Sequence, residues 1–199
     1  MSIRELTPVK NEFYRQDVID LARNLLGKYF VKSDSGQLLA GKIVETEAYH
    51  EEGDESCRAS RGKTSRNEVM FGPPGVLYVY FTYGMHYCMN IVAEGENTAV
   101  AILIRAMEPV QGIDTMIKNR GGKHDLYNLA SGPAKLCQAF GIDKKYNGYN
   151  LTGGNIFIAD APPIAEKDIV VAKRIGISKA VDHPWRFYIR GSKFVSKKQ

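Results

Sequence analysis

Two glutamates, Glu45 and Glu47, stand two residues apart in the extended pattern of residues 38–48. In a strand such residues share a face, so both carboxylates point the same way, and Tyr49 joins them if the strand continues. The apolar neighbours Ile43, Val44 and Ala48 place this strand inside the fold, where a charge is costly unless paired. Arg105 ends the apolar run Val100-Ala101-Ile102-Leu103-Ile104 and needs an acceptor of the kind Glu47 offers. A carboxylate held by an arginine in the interior can take a proton from water. Two plainer arrangements fit the same residues: a salt-bridged face on an edge strand, and an arginine capping its strand at solvent. The polar stretch 49–67 that follows is long for a connection in a compact domain, and such loops are usually functional or mobile. Reactive groups commonly stand where a strand opens into a loop.

Other chemistries lack their residues. There is no GxxxxGK, GxSxG or HExxH pattern, and His50, His86, His124 and His183 have no metal-like spacing. Cys57, Cys88 and Cys137 are an odd number without CxxC spacing, which argues against a disulfide framework and a zinc site. Cys88 and Cys137 read as buried hydrophobes. No metal or cofactor is expected. Hydrolysis by one activated water remains.

A second group is aromatic. Tyr78, Tyr80, Phe81, Tyr83 and Tyr87 fall within ten residues, with Tyr83-Gly84 between two strand-like runs, 76–82 and 85–93. Tyr78 and Tyr80 share a face, whereas a tyrosine at a hairpin tip adds little to a core and projects. A projecting aromatic near basic loops suits insertion between bases, although aromatics are also enriched in ordinary strands. Asn90, between Met89 and Ile91, reads as a buried polar group that requires specific partners.

The elements that position these groups follow from periodicity. Residues 9–13 read as extended. Residues 15–26 carry one apolar helical face stopped by Gly27. A strand at 29–31, a turn at 33–36 and the strand 38–48 come next. The runs 76–82, 85–93 and 100–106 form a central meander, with a turn at 94–97. Helices are expected at 110–118 and, behind Pro133, at 134–140; strands at 156–158, 169–171 and 187–189 complete the chain. The class is α/β of the α+β type: a single domain over residues 1–199 with a largely antiparallel β-sheet, a projecting β-hairpin and helices packed around it. Across 199 residues, 44% are hydrophobic and 25% charged, which excludes wholesale disorder. No run approaches the ~20 apolar residues of a membrane span, and Met1 to Glu5 lack the order of a signal peptide. A soluble cytoplasmic protein without a membrane partner is expected. The net charge of +5 is compatible with a polyanionic partner. Its basic groups cluster at Arg58, Arg61, Lys63 and Arg66, at Lys118, Arg120 and Lys123, and at Lys193, Lys197 and Lys198.

The series Ile43-Val44-Glu45-Thr46-Glu47-Ala48-Tyr49, Ser65-Arg66-Asn67, Met70-Phe71, Leu77-Tyr78-Val79-Tyr80 and Tyr83-Gly84-Met85 resembles the alkyladenine (3-methyladenine) DNA glycosylases. The likeness continues through Cys88-Met89-Asn90-Ile91, the segment 103–109, the segment 131–137 and Arg186-Phe187-Tyr188-Ile189-Arg190-Gly191-Ser192. It spans nearly the whole chain in order. It implies a monofunctional enzyme of base excision repair that flips a damaged purine from double-stranded DNA and hydrolyses its glycosidic bond, leaving an abasic site. The purines implied are 3-methyladenine and 7-methylguanine, with hypoxanthine and ethenoadenine as further candidates. Glu47 would be the general base, with Arg105 and a carbonyl near Ile189 holding its water. Tyr49 and Tyr80 would sandwich the base, Tyr83 would fill the gap in the duplex, and Asn90 would reject the amino group of guanine. Thr64, Arg66 and Lys135 would hold phosphates. Where the family usually carries a base-contacting histidine, Arg58 stands here, always charged and unable to accept a hydrogen bond. The resemblance further implies a compact bacterial-type member, monomeric, without cofactor and nucleoid-associated when on DNA. A damaged-DNA binding module without turnover is the alternative. A two-carboxylate glycoside hydrolase fits poorly, because Glu45 and Glu47 face one side.

Overall fold

The computed structural model of the chain describes residues 6–34, 36–122 and 125–197. Ser35 of the expected turn, Lys123, His124, Lys198 and the first five residues lie outside the described residues. The expected mixed class is present: three α-helices and eight strands, all paired antiparallel in one curled sheet, among the described residues. The strands are β1 (Tyr29–Asp34), β2 (Gln37–His50), β3 (Leu77–Thr82), β4 (His86–Val92), β5 (Val100–Gln111), β6 (Ile156–Ala159), β7 (Ile169–Ala172) and β8 (Arg186–Ile189). The helices are α1 (Val18–Asn24), α2 (Ile113–Asn119) and α3 (Pro133–Phe140). The sheet runs β3-β4-β5-β2-β1-β6, with β8 on β2 and β7 on β8. The consecutive β3-β4-β5 are the meander expected from the sequence.

Strand β2 organises the molecule. Its first half pairs with β1 and its second half with β8 on the same side, while β5 runs along its other edge. A β-bulge at Val44 resets the alternation. Ile43 and Ala48 therefore join the main core, whereas Glu45, Glu47 and Tyr49 share the opposite face. Thr46 faces the core side and donates to the Ala22 carbonyl of α1 at 2.8 Å. The main core is built from α1, α3 and the sheet, with Leu21, Leu25, Leu26, Phe30, Phe140 and Phe187 fully buried. A smaller cluster of Cys57, Ala59, Met70, Tyr78, Val92 and Ala101 lies under residues 51–75 and forms the floor of the site.

Three boundaries depart from the sequence expectation. Residues 9–13 are not a strand: after one extended contact, Val9 N–H to Ile158 O at 2.9 Å, Asn11–Arg15 turn as a 3₁₀ helix to bury Tyr14 completely. Helix α1 begins later, because Asp17 caps it by accepting from Ile19 N–H at 2.8 Å. Val110 and Gln111 belong to β5, and Gly112 turns the chain into α2 at φ 76°, where a Cβ would meet Leu39 at 2.4 Å.

Candidate active site

Both glutamates are fully buried on one face of β2. That excludes the solvent-facing edge strand and leaves the question of what pairs them. Arg105 spans the two: its Nε donates to Glu45 Oε1 at 3.1 Å and its Nη1 to Glu47 Oε2 at 3.1 Å. Glu45 has further partners in Arg186 Nε at 2.7 Å, Ser196 N–H at 2.6 Å and Ser196 Oγ at 2.9 Å. Two arginines thus balance two carboxylates, and Arg186 on Glu45 leaves the Nη1 of Arg105 for Glu47. Glu47 also accepts from Tyr49 OH on Oε2 at 2.8 Å and from Ile175 N–H on Oε1 at 2.7 Å. A carboxylate offers about four lone-pair sites. Three are used, and the spare one is on Oε1. Burial pushes the Glu47 carboxyl above its ordinary value, against the opposing pull of Arg105, the Ile175 N–H and Tyr49. Burial, with the Glu47 charge beside it, pushes the Tyr49 phenol far up, so Tyr49 stays a donor.

In front of this pair lies a cavity of about 420 Å³, within the range of small-molecule pockets. Tyr49, Arg58, Tyr80, Tyr83, Asn90 and Arg105 line it together with Tyr78 and Ile175, so the cavity gathers six of the expected site residues. Asn90 is buried and donates to the Tyr78 carbonyl at 3.1 Å across the β3–β4 ladder. Arg58 also lines the cavity, its guanidinium carbon 3.8 Å from the centre of the Tyr80 ring. At the cavity mouth β3 and β4 turn over Tyr83 and Gly84, at φ 51° and 68°, closed by Met85 N–H to Thr82 O at 3.3 Å. Positive φ at both central residues is the type I′ signature that matches strand twist. Tyr83 is 82% exposed in this left-handed position, which an aromatic residue adopts only at a cost.

The expected phosphate-binding residues are not in the cavity lining. Thr64 and Arg66 are exposed on the loop after the site floor, and Lys135 on α3 reaches Asn128 Oδ1. The carbonyl near Ile189 is elsewhere: Ile189 O accepts from Ser192 N–H in the turn after β8. The segment after β7 takes that place, since Ile175 gives Glu47 its N–H and offers its carbonyl to Arg105 Nη1 at 3.5 Å.

Several organising residues were not singled out from sequence. Asp54 and Arg174 form a fully buried pair, Nη1 to Oδ2 at 2.6 Å and Nη2 to Oδ1 at 2.8 Å, that ties the loop after β2 to the segment after β7. Arg174 also donates to Ala48 O at 2.8 Å and covers the Tyr49 ring at 4.6 Å. Asn67 is buried and holds its loop by donating to Arg58 O and Gly62 O, both at 3.0 Å, and accepting from Thr64 N–H at 2.6 Å. The signal for Asn67 was present, as one of the resemblance motifs ends on it; nothing local paired Asp54 with Arg174, 120 residues on.

Comparison with known proteins adds the family. The family model of methylpurine-DNA glycosylase (MPG) matches residues 12–193. The chain belongs to this family. As a member of the methylpurine-DNA glycosylases it is a DNA glycosylase, and DNA is its partner. A protein of Carboxydothermus hydrogenoformans, provisionally named 3-methyladenine DNA glycosylase, is 57% identical over 188 residues, covering 94% of this chain and 97% of the relative. Similarly named proteins of Chlorobaculum parvum and Rhodopseudomonas palustris are 52% and 45% identical, covering 93% and 95% of this chain and 88% and 90% of their own length. No helix among the described residues of this methylpurine-DNA glycosylase family member is long and apolar enough to cross a membrane.

Proposed function

We propose that this chain, as one monomeric domain, extrudes damaged purines from duplex DNA into the tyrosine-lined cavity and hydrolyses the N-glycosidic bond with a water activated by Glu47. The observation that carries the reading is Glu47, buried behind the cavity wall with three donors and one free lone pair on Oε1. A base inside the duplex is out of reach, so it must be flipped out at a cost of a few kcal/mol. Stacking on Tyr49 and Tyr80 returns roughly 1–3 kcal/mol per base. The Oε1 lone pair then holds a water next to the Ile175 carbonyl. As the bond breaks, its electron pair leaves with the purine. The water oxygen bonds the anomeric carbon, and the water's proton passes to Glu47, whose charge also stabilises the cationic sugar. The product is an abasic site in an uncut strand. The substrate class is 3-methyladenine, 7-methylguanine, hypoxanthine and ethenoadenine, with Asn90 excluding guanine by its amino group. Thr64, Arg66 and Lys135 hold the phosphates flanking the flipped nucleotide. Incubation with duplexes bearing each base, followed by chromatography of what is released, tests the reading; release of none of them refutes it.

The Glu47 environment predicts a pH profile. Burial raises its folded-state value, so the base form is lost as pH falls through that raised value. Single-turnover excision should decline on the acid side at a pH above that of a free carboxylate. The stability contribution of the same group runs the other way: it is fully present below the unfolded value and lost as pH rises through the folded one. The difference in melting temperature between wild type and Glu47→Gln, followed across pH, reads this second effect. An acid limb at the ordinary carboxylate position would contradict the assignment of the limb to Glu47.

The hairpin tip separates binding from stability. Tyr83→Gly relieves a left-handed aromatic and should leave the fold unchanged or more stable by up to about 1 kcal/mol. The lost stacking of about 1–3 kcal/mol should weaken binding to a damaged duplex by roughly 5- to 150-fold. Thermal melting and fluorescence anisotropy measure the two. Binding that follows stability upward would remove the wedge from the proposal.

A further inference from the structure

The cavity holds a charge that the chemistry above does not use. Among the described residues, its charged lining residues are Arg58 and Arg105, and no acid lines it. Arg105 is neutralised by Glu45 and Glu47. Arg58 is not, because three of the four nearby acids in its loop are engaged elsewhere. Asp54 holds Arg174, Glu55 pairs with Lys179, and Glu51 accepts from Ala99 N–H at 2.9 Å. The fourth, Glu52, is exposed and forms no ion pair with Arg58 among the described residues. The Arg58 backbone is fixed by Asn67, while its guanidinium lies on Tyr80. The second stacking ring, Tyr49, already carries Arg174 on one face. Both aromatic walls of the cavity thus bear a guanidinium.

Resting on the glycosylase reading, we propose that Arg58 is a specificity-determining residue that tilts the cavity toward neutral damaged purines and against those carrying a fixed positive charge. The physical reasons are two. A purine alkylated at N3 or N7 is cationic in the nucleoside, and it enters a space whose one unpaired charge is positive and whose tyrosine faces already serve cations. A guanidinium is also donor-only, with its N–H groups in a fixed fork. Hypoxanthine presents two adjacent acceptors, O6 and N7, which is the pattern an arginine fork matches. Methylation at N7 removes one of these acceptors while adding the charge. Arg58 thus rewards the deaminated base and opposes the alkylated one through the same group.

The test compares single-turnover release of hypoxanthine and 7-methylguanine from otherwise identical duplexes. Arg58→Gln, neutral and able to accept, should shift the rate ratio at least tenfold toward 7-methylguanine. Arg58→Lys, which keeps the charge and loses the fork, should slow hypoxanthine release without gaining on 7-methylguanine. Arg58 is exposed, so both variants are expected to fold, and thermal melting verifies it. Equilibrium affinities for the two duplexes in a Glu47→Gln background give the same ratio without turnover. A ratio unmoved by Arg58→Gln in both rate and affinity overturns the proposal. Release of no base from any duplex sinks the glycosylase reading instead, and the affinity ratio still decides the role of Arg58.

Discussion

Replacing Glu47 by glutamine is expected to slow base release by about 10²- to 10⁴-fold, the usual contribution of a positioned general base, while duplex affinity is retained. Glutamine keeps one oxygen, which in the place of Oε2 accepts from Arg105 Nη1 and Tyr49 OH, while its NH2 replaces Oε1 and the bond from Ile175 N–H is lost. Also lost are the ability to take a proton and the negative charge facing the sugar. Some stability should be lost, since the buried Arg105 and Arg186 then share the single carboxylate of Glu45, so affinity is compared at a temperature where the variant is folded. Single-turnover excision, anisotropy and thermal melting cover the three statements. Undiminished excision would take Glu47 out of the mechanism, and excision lost together with binding would make its role architectural.

The second large effect concerns stability. Asp54→Ala should destabilise the protein by about 3–5 kcal/mol, the cost of leaving one partner of a buried pair uncompensated. At about 2–4 °C per kcal/mol for a chain of this size, the melting temperature should fall by roughly 6–20 °C. Burial opposes ionisation of Asp54, but the Arg174 and Ser56 hydrogen bonds outweigh it and hold the carboxyl below its ordinary value. The stabilisation is therefore present above the unfolded value and is lost as pH falls through the folded one. The double variant Asp54→Ala, Arg174→Met should recover much of the loss, because the stranded guanidinium is gone. The exposed pair Lys179–Glu55 bridges the same two segments, yet Glu55→Ala should hardly register, since solvent screens it. A melting temperature that barely moves in Asp54→Ala would show that the two segments are held by packing alone.

Periodicity placed β1 to β4 and α3 close to their observed positions because their burial patterns repeat locally, and it found the start of β5 but not its end at Gln111. It misplaced the start of α1, where a capping aspartate and not the apolar face sets the first turn. It also missed the turn at Asn11–Arg15, which exists to seat Tyr14 in the core. In the site, Glu47, Arg105, Tyr49, Tyr80 and Asn90 were legible, since one strand carries the acid and its tyrosine, and an arginine at the end of an apolar run needs a partner. Ile175 was not legible: it acts through its backbone, and no side-chain pattern reports which amide will meet a carboxylate 128 residues away. Arg58 was legible as an odd residue in its place. That its acids are committed elsewhere is a tertiary fact, and that fact turns it from a loop residue into a charge facing the cavity.

The distances along the chain have a consequence in time. Glu45 and Glu47 are joined by groups that follow them by 58 residues at Arg105 and by 151 at Ser196. At about 5–20 residues per second of synthesis, the carboxylates wait about 8–30 s for the last of these. Until Arg186 follows, 141 residues after Glu45, the inner half of β2 has two acids and one cation, and burying it is unfavourable. The carboxylate on which the proposed mechanism relies therefore gains its full surroundings only after the strands and helices between have been made.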